Sequence, residues 1–387
     1  MGKPAIFTLL LLFACFSNVF AQQKLQGIVV EKNTGSPVAF ATIQVKNAKS
    51  TLTNENGEFE LSVNTLPTLL SISHLNYKSF SIEVSTAQSI KITVEPQALM
   101  LKDVIVGNPA IAIMQDARDK ADKIFDQSFY GKAFLRQIAY EGGRPTYMNE
   151  IFFDAEWKPF TMVSWNPTQA RHLKGKSIIA YSNLSYLTFI LSGYLGNNQA
   201  IKPLTKKVDS LYNLKLTGTY LANGQEIAKI NCIPKFKIKG LTFEGDYYVN
   251  TVTNDVIKIE GHIKGIKISG GGPLGFKNKS AVFTAQFKLD KNGNNVLDYI
   301  ILNTSNILKI VGIGAKTTDL YSTLYMIDDL PVNKTALRSI KEEIEDSAIA
   351  KAAIYEEDFW KNNQGIKRTA KEQSSIEILE KTPQVKK

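Results

Sequence analysis

From Lys24 to Glu95, and again from Lys132 to about Asp329, apolar and polar side chains alternate in short runs separated by turn signals. Strand side chains point to opposite faces in turn, so a chain written with period two buries one face of a sheet and wets the other; helical bundles are excluded for these stretches. In the first stretch the turns fall at Asn33-Thr34-Gly35, Asn54-Glu55-Asn56-Gly57 and Asn64 to Pro67. They separate predicted strands at Gln26 to Val30, Ala41 to Val45, Glu58 to Val63, Leu69 to Ser73, Lys78 to Val84 and Ile90 to Val94. Short runs at this spacing predict a small antiparallel β-sandwich over residues 22–96. Gly35 and Gly57 supply the positive φ that tight turns need, and Pro37 a rigid extension after the first.

The residues of this stretch carry a resemblance. Gly27-x-Val29, Thr34-Gly35-x-Pro37-Val38-x-x-Ala41-x-Ile43-x-Val45 and Thr53-Asn54-x-x-Gly57-x-Phe59-x-Leu61 resemble the carboxypeptidase-regulatory-like domain, a transthyretin-type sandwich common in exported proteins of the Bacteroidetes. Asn54 stands where that family usually has Asp, and Asn76-Tyr77 where Gly-Tyr is usual; both substitutions suit turns. The resemblance implies a fold and an exported setting, not a peptidase activity. Leu99-x-Leu101-x-Asp103-Val104-Ile105-Val106 resembles the segment that links such sandwiches to the next domain.

Residues 97–130 then form a linker and a connector helix. Ala110 to Phe129 switches to helical periodicity, with Ile111, Met114, Ala117, Ala121, Ile124 and Phe125 on one face and Asp116, Asp119, Lys120 and Lys123 opposite. Residues 131–330 return to strands at Leu214 to Leu221, Glu226 to Ile233, Leu241 to Val249, Val256 to Lys264, Ala281 to Leu289 and Val296 to Leu302, joined by short turns. That is an antiparallel meander, a sheet able to curl around an apolar interior. Asn223-Gly224-Gln225-Glu226, Phe243-Glu244-Gly245-x-Tyr247-Tyr248-Val249-x-x-x-Thr253 and Val256 to Glu260 resemble the half-barrel of periplasmic lipoprotein carriers. Residues 331–387 are expected as a C-terminal helix, Lys334 to Ile354, then Phe359-Trp360 as an apolar anchor and a disordered polar end. The predicted class is therefore mainly β with α: an N-terminal antiparallel sandwich, a connector helix, a larger curled antiparallel sheet and a C-terminal helix.

Residues 1–21 read as a secretory signal, with Lys3 as the charged region, Ala5 to Phe16 as the apolar run and Val19-Phe20-Ala21 before the cleavage point. In the competing reading Leu12-Phe13-Ala14-Cys15 is a lipoprotein box and Cys15 the lipidated first residue. Either predicts export to the periplasm or an outer-membrane-associated site. With two cysteines in 387 residues, a disulfide framework is excluded. The formal charge of +10 is concentrated: residues 97–330 hold 28 basic and 20 acidic side chains, while the sandwich and the tail are nearly balanced.

The chemistry-bearing patterns are sparse. His74, His172 and His262 are followed three residues later by Tyr77, Gly175 and Gly265, so none begins a zinc-peptidase pattern. No Gly-x-Ser-x-Gly elbow exists, Cys232 lies inside an alternating strand, and Gly270 to Gly275 lacks the Gly-Lys-Ser/Thr of a phosphate loop, leaving a flexible loop or a lid. No cofactor or metal is implied. Lys235, Lys237 and Lys239 share one strand face, either a solvated edge or a contact for an anionic lipid or polysaccharide surface. Trp157, Phe160 and Trp165 concentrate rings that are either core or the lining of an apolar pocket. Nucleic acid fits the charge but not an exported protein. The expected function is a non-enzymatic cell-envelope protein binding a lipid-like ligand, a glycan or an envelope protein. The alternatives are a hydrolase and a soluble partner of a TonB-dependent outer-membrane receptor.

Overall fold

The computed structural model describes residues 23–45, 50–100, 108–179, 181–195, 202–222, 224–236, 241–265, 275–277, 280–310, 314–328 and 332–382. The expected signal segment with Cys15, Lys237, Lys239 and residues 270–274 of the glycine loop lie outside the described residues.

Seven strands build the N-terminal module: β1 (Gln23–Glu31), β2 (Thr42–Val45), β3 (Ser50–Leu52), β4 (Glu58–Val63), β5 (Thr68–His74), β6 (Tyr77–Val84) and β7 (Ile90–Val94). They form two sheets, ordered β4-β1-β7 and β3-β2-β5-β6, around a core that includes Leu25, Val29, Ile43, Phe59, Leu70 and Ile92. The β1–β7 pairing is parallel, where the sequence suggests only antiparallel neighbours. Asn54 fills the turn role expected of Asp: its Oδ1 accepts the backbone N–H groups of Asn56 and Glu58 at 2.9 and 3.0 Å and fixes the turn that Gly57, at φ 73°, completes.

The larger sheet has thirteen strands: β8 (Leu99–Met100), β9 (Phe129–Glu141), β10 (Arg144–Lys158), β11 (Thr161–Lys174), β12 (Tyr212–Ala222), β13 (Gln225–Pro234), β14 (Thr242–Asn250), β15 (Val256–Lys264), β16 (Gly275–Lys277), β17 (Ser280–Leu289), β18 (Asn295–Ile310), β19 (Gly314–Asp328) and β20 (Arg338–Ser339). Its order is β20-β11-β10-β9-β19-β18-β17-β15-β14-β13-β12-β8, with β16 beside β18, and among the described residues it does not close. The long hairpins β9 to β11 are joined to the meander β12 to β19 through the β9–β19 pairing. Gly245 and Gly261 face each other across β14 and β15 in a row with Cys232 and Phe283. A Cβ built on Gly261 would lie 2.3 Å from the Glu244 carbonyl oxygen, so the two strands approach more closely there than any side chain allows. Such paired glycines are a device by which a sheet bends.

The bend gives the sheet an inner and an outer face. Across the inner face run Leu135, Phe153, Tyr247, Ile259, Phe283 and Leu302, and against them pack the connector helix Pro109–Lys123, residues 184–195 and 202–211, and the helix Asp346–Ala352. The concavity is therefore filled by the chain itself. On the outer face the N-terminal module sits against β18 and β19: Thr42 donates to Asp298 at 2.9 Å, and Ser50 bonds Tyr325 Oη at 2.5 Å and donates to the Ile327 carbonyl at 2.6 Å.

The C-terminal segment departs from expectation twice. Lys334 to Ile354 is not one helix: a 3-10 turn, Lys334–Ala336, leads into β20, and only Asp346–Ala352 is α-helical. The open edge of β11 explains this, because its unpaired backbone groups are met by an extended segment, with Ser164 opposite Ser339 and Trp165 opposite Arg338. Of the end expected to be disordered, the part up to Glu380 belongs to the helix Ala370–Glu380, which has a full Thr369/Glu372 capping box, and residues 383–387 lie outside the described residues. Ile376 and Leu379 are buried with Ile138, Tyr140 and Met148 on the outer face, and Phe359 and Trp360 anchor on Phe152. The segment thus passes from the inner face around the β11 edge to the outer face.

Candidate functional site

Where the segment rounds the edge, it leaves a cleft. Trp165 on β11, Ser185, Tyr186 and Phe189 on the helix Leu184–Ile190, and Ile340, Ile344, Ala348 and Ile349 of the C-terminal segment line about 440 Å³. Its floor is Trp165 and Phe189, whose ring centroids stand 4.8 Å apart, backed in the core by Phe153 at 5.3 Å from Trp165 and 5.5 Å from Phe189. Arg338 and Lys341 stand at its rim. An apolar hollow of this size with a few polar groups is the usual form of a ligand site.

The two walls are tied together by one buried carboxylate. Asp346, wholly buried at the start of its helix, accepts hydrogen bonds from the hydroxyls of Ser185 and Tyr147, and its backbone N–H donates to the Ser182 carbonyl at 2.7 Å. Burial pushes the Asp346 carboxyl up from its ordinary value, and the bonds from Ser185 and Tyr147 oppose that push. Behind the cleft, polar side chains occupy one row across four strands: Ser322 opposite Gln137, Gln137 opposite Asn149, Asn149 opposite His172. The Gln137 amide donates to the Leu184 carbonyl, Thr188 Oγ1 and Ser322 Oγ, holding the helix over the row. Both polar atoms of Asn149, both nitrogens of His172 and Gln137 Oε1 are buried without a hydrogen-bond partner.

Burial holds His172 down to about 4, with Lys174 adding to the effect and Glu345 opposing it. The fold therefore favours the neutral ring. Because its folded value lies below the unfolded value near 6.5, the contribution to stability is complete above about pH 6.5 and is lost as pH falls toward 4. His172→Phe is therefore expected to flatten the fall in Tm between pH 7 and 4.5 relative to the parent chain, by at most about 3 kcal/mol of stability at the acid end. Parallel Tm–pH curves for the two proteins would show that His172 does not titrate in this way.

The sequence-predicted residues are dispersed. Trp165 lies in the cleft floor, while Phe160 is in the inner core with the Lys202 ammonium 3.7 Å from its ring centroid. Trp157 lies at the open end of the sheet, 6.3 Å from Phe129. Lys235 stands just beyond β13 and donates to the Asp209 carbonyl. Among the described residues no three His, Cys, Asp or Glu side chains gather as a metal site, and no helix is long and apolar enough to cross a membrane. Ser185, Asp346 and the row through Asn149 escape sequence reasoning because they come together from segments far apart in the chain, with no local motif to mark them.

Residues 25–106, which include most of the N-terminal two-sheet module, match the family model of the CarboxypepD_reg-like domain. No curated protein matches the chain. Among solved structures, a DUF1329 family protein from Desulfovibrio piger is 12% identical, with 60% of this chain and 100% of that one aligned and a TM-score of 0.22. A LolA superfamily protein from Nitrosomonas europaea is 13% identical over 57% and 94% of the two chains, at a TM-score of 0.21. The Pseudomonas aeruginosa MucA/MucB complex gives 9% identity over 58% and 99%, at 0.17. Superpositions this loose leave function to be argued from the chain's own residues.

Proposed function

We propose that the chain is an exported, non-enzymatic cell-envelope protein that holds a lipid-like ligand, an acyl chain with an anionic end, in the edge cleft. The observation that carries the reading is the cleft itself: an apolar floor of Trp165 and Phe189, walls that include Ile340, Ile344 and Ala348, and Arg338 and Lys341 at the rim. Apolar walls favour a hydrocarbon chain through the area they remove from water, and rim cations favour a carboxylate or phosphate left at the surface. The apolar run at residues 5–16 and the CarboxypepD_reg-like module support the exported setting. The filled inner face argues that any ligand sits at the edge of the sheet and not inside its curl.

The test is displacement of a fluorescent fatty acid from the purified protein. Ala348→Trp, which fills the cleft, is expected to weaken binding at least about tenfold, equal to about 1.4 kcal/mol, with an unchanged far-UV spectrum. Binding that survives Ala348→Trp, or a parent protein that neither binds the probe nor carries lipid by native mass spectrometry, would sink the reading. A second reading, an envelope protein partner inserting an apolar segment here, is favoured by Ile354 and Tyr355, which are 60% and 57% exposed just beyond the cleft's last residues.

A further inference from the structure

At the open end of the curled sheet three neighbouring hairpins turn side by side: β12 into β13, β14 into β15 and β17 into β18. Each tip holds an apolar side chain in water. Leu221 is 51% exposed, Val252 70% and Leu289 64%, and Phe125, just past the connector helix, is 38% exposed. Bonds between the tips keep the four together. Leu221 pairs across the first hairpin with Glu226, whose carbonyl accepts the Thr251 N–H at 3.0 Å. The Asn295 amide, on the residue opposite Leu289, donates to the Val256 carbonyl at 2.9 Å, and Lys120 of the connector helix donates to the Thr253 carbonyl at 2.8 Å.

The tips are rigid without their apolar side chains. Asn250 Oδ1 accepts the backbone N–H groups of Val252 and Thr253 at 2.9 and 3.0 Å, and Asp290 Oδ1 accepts those of Asn292 and Asn294, each at 2.8 Å. Polar side chains thus fix both turns, and neither turn uses the Val252 or Leu289 side chain. A single exposed apolar residue needs no explanation; one on each of three adjoining tips forms a pattern. The charges around them are arranged in one sense. Asp255 is paired with Lys120 at 2.6 Å and Asp126 with Lys158 at 2.9 Å, while Asp290 is turned onto the amides of its own hairpin. Lys123 and Lys291, both exposed, have no carboxylate partner among the described residues. The carboxylates of the tips are neutralised, and two ammonium groups are left in solvent beside the apolar side chains.

We propose that this end of the sheet docks on a lipid bilayer, with Leu221, Val252, Leu289 and Phe125 entering the headgroup region and Lys123 and Lys291 meeting lipid phosphates. A folded protein partner needs one contiguous matching surface, whereas separate protruding side chains suit a fluid surface that closes around each. Apolar ends at the acyl boundary with ammonium groups just above them is the arrangement by which interfacial anchors hold. The exposed cations favour anionic headgroups, which the neutralised carboxylates do not oppose. None of these side chains lines the edge cleft, so docking here neither requires nor implies a ligand there.

The experiment is flotation of the purified protein with vesicles of phosphatidylethanolamine and phosphatidylglycerol in equal parts. The parent is expected to float with the vesicles. Val252→Asp and Leu289→Asp each place a carboxylate on an exposed turn residue, and each is expected to lower the partition coefficient at least about tenfold while the far-UV spectrum stays that of the parent. Phe236→Asp, at the opposite end of the sheet where Phe236 is 54% exposed, is expected to leave partition unchanged. A parent that does not float overturns the proposal, as does flotation untouched by both tip variants or lost equally in Phe236→Asp. Fatty-acid displacement from the edge cleft is expected to stay at the parent level in Val252→Asp and Leu289→Asp, so failure here and failure of the ligand reading are separate results.

Discussion

A chain ended after Ala353 is expected not to fold to a soluble monomer. Residues 354–382 contribute Trp360, Ile366, Ile376 and Leu379, all 5% exposed or less, to the outer face of β9, β10 and β11. Fully burying a large apolar side chain stabilises by about 1.5–3 kcal/mol, so the four together stabilise by roughly 6–12 kcal/mol. That is comparable to the whole net stability of an ordinary domain, about 5–15 kcal/mol. The same truncation uncovers Phe134, Phe152, Ile138, Tyr140 and Met148 as one apolar patch and frees part of the β11 edge, whose Ala170 N–H donates to the Ile354 carbonyl. Aggregation through that surface is the expected outcome. Size-exclusion chromatography with thermal unfolding decides the matter: a monomeric truncated chain melting cooperatively within a few degrees of the parent would be incompatible with a structural role for the segment.

The second large effect is at Glu150, which is wholly buried beneath the C-terminal segment. Its carboxylate accepts from Arg136 at 2.7 Å, from Arg171 at 2.6 Å and from Arg368 at 3.0 and 3.3 Å. Burial pushes the carboxyl upward, but the three guanidinium groups outweigh it and hold the group well below the usual carboxylate range. Glu150→Ala leaves three cations around an empty centre, two of them on strands and one on the segment that must stay attached. Removing one partner of a buried ion pair typically costs 3–5 kcal/mol, and about that loss is expected in urea unfolding at pH 7. The pH sign follows from the lowered folded value. The contribution is complete above the unfolded carboxyl value near 4.3 and is lost as pH falls through and below it, so parent and variant should converge in acid. A loss under about 1 kcal/mol at neutral pH would mean that the guanidinium groups find other acceptors.

How far the fold was legible depends on the kind of force that sets each part. The sandwich strands other than β3, the connector helix, β12 to β15, β17 and β18 rest on local alternation and turn residues, and Asn54, Gly57 and the helical spacing of Met114, Ala117 and Ala121 announce them directly. β3 is only three residues long and β20 two, and both exist because a neighbouring edge needs a partner; nothing within them marks a strand. The C-terminal helix Ala370–Glu380 was obscured by its charged text, since two apolar positions, Ile376 and Leu379, suffice once a surface is waiting for them. The sites were less legible still. Trp165 and Trp157 were visible as rings, but whether a ring is core or wall depends on what stands opposite. For Trp165 that is Ala348, more than a hundred residues away, while Trp157 packs against Phe129 in the core. Glu150 and Asp346 looked like two acids among many; only the fold shows that each is a buried junction.

One small core has a bearing on the order in which the molecule is made. Leu52 of the first module, Phe134 and Tyr325 of the large sheet and Ile366 of the last segment are buried together. The core inside the sandwich draws only on residues 25–94, so its formation does not wait for the rest of the chain. The shared core, by contrast, needs residues more than three hundred positions apart, and the outer face of β9 to β11 stays bare until residues 354–382 have docked. Contacts this distant along the chain form late and slowly, and the surfaces they will cover stay exposed meanwhile. Docking of residues 354–382 is therefore the step that closes this face, and a folding helper that shields the sheet would be needed only until that segment docks.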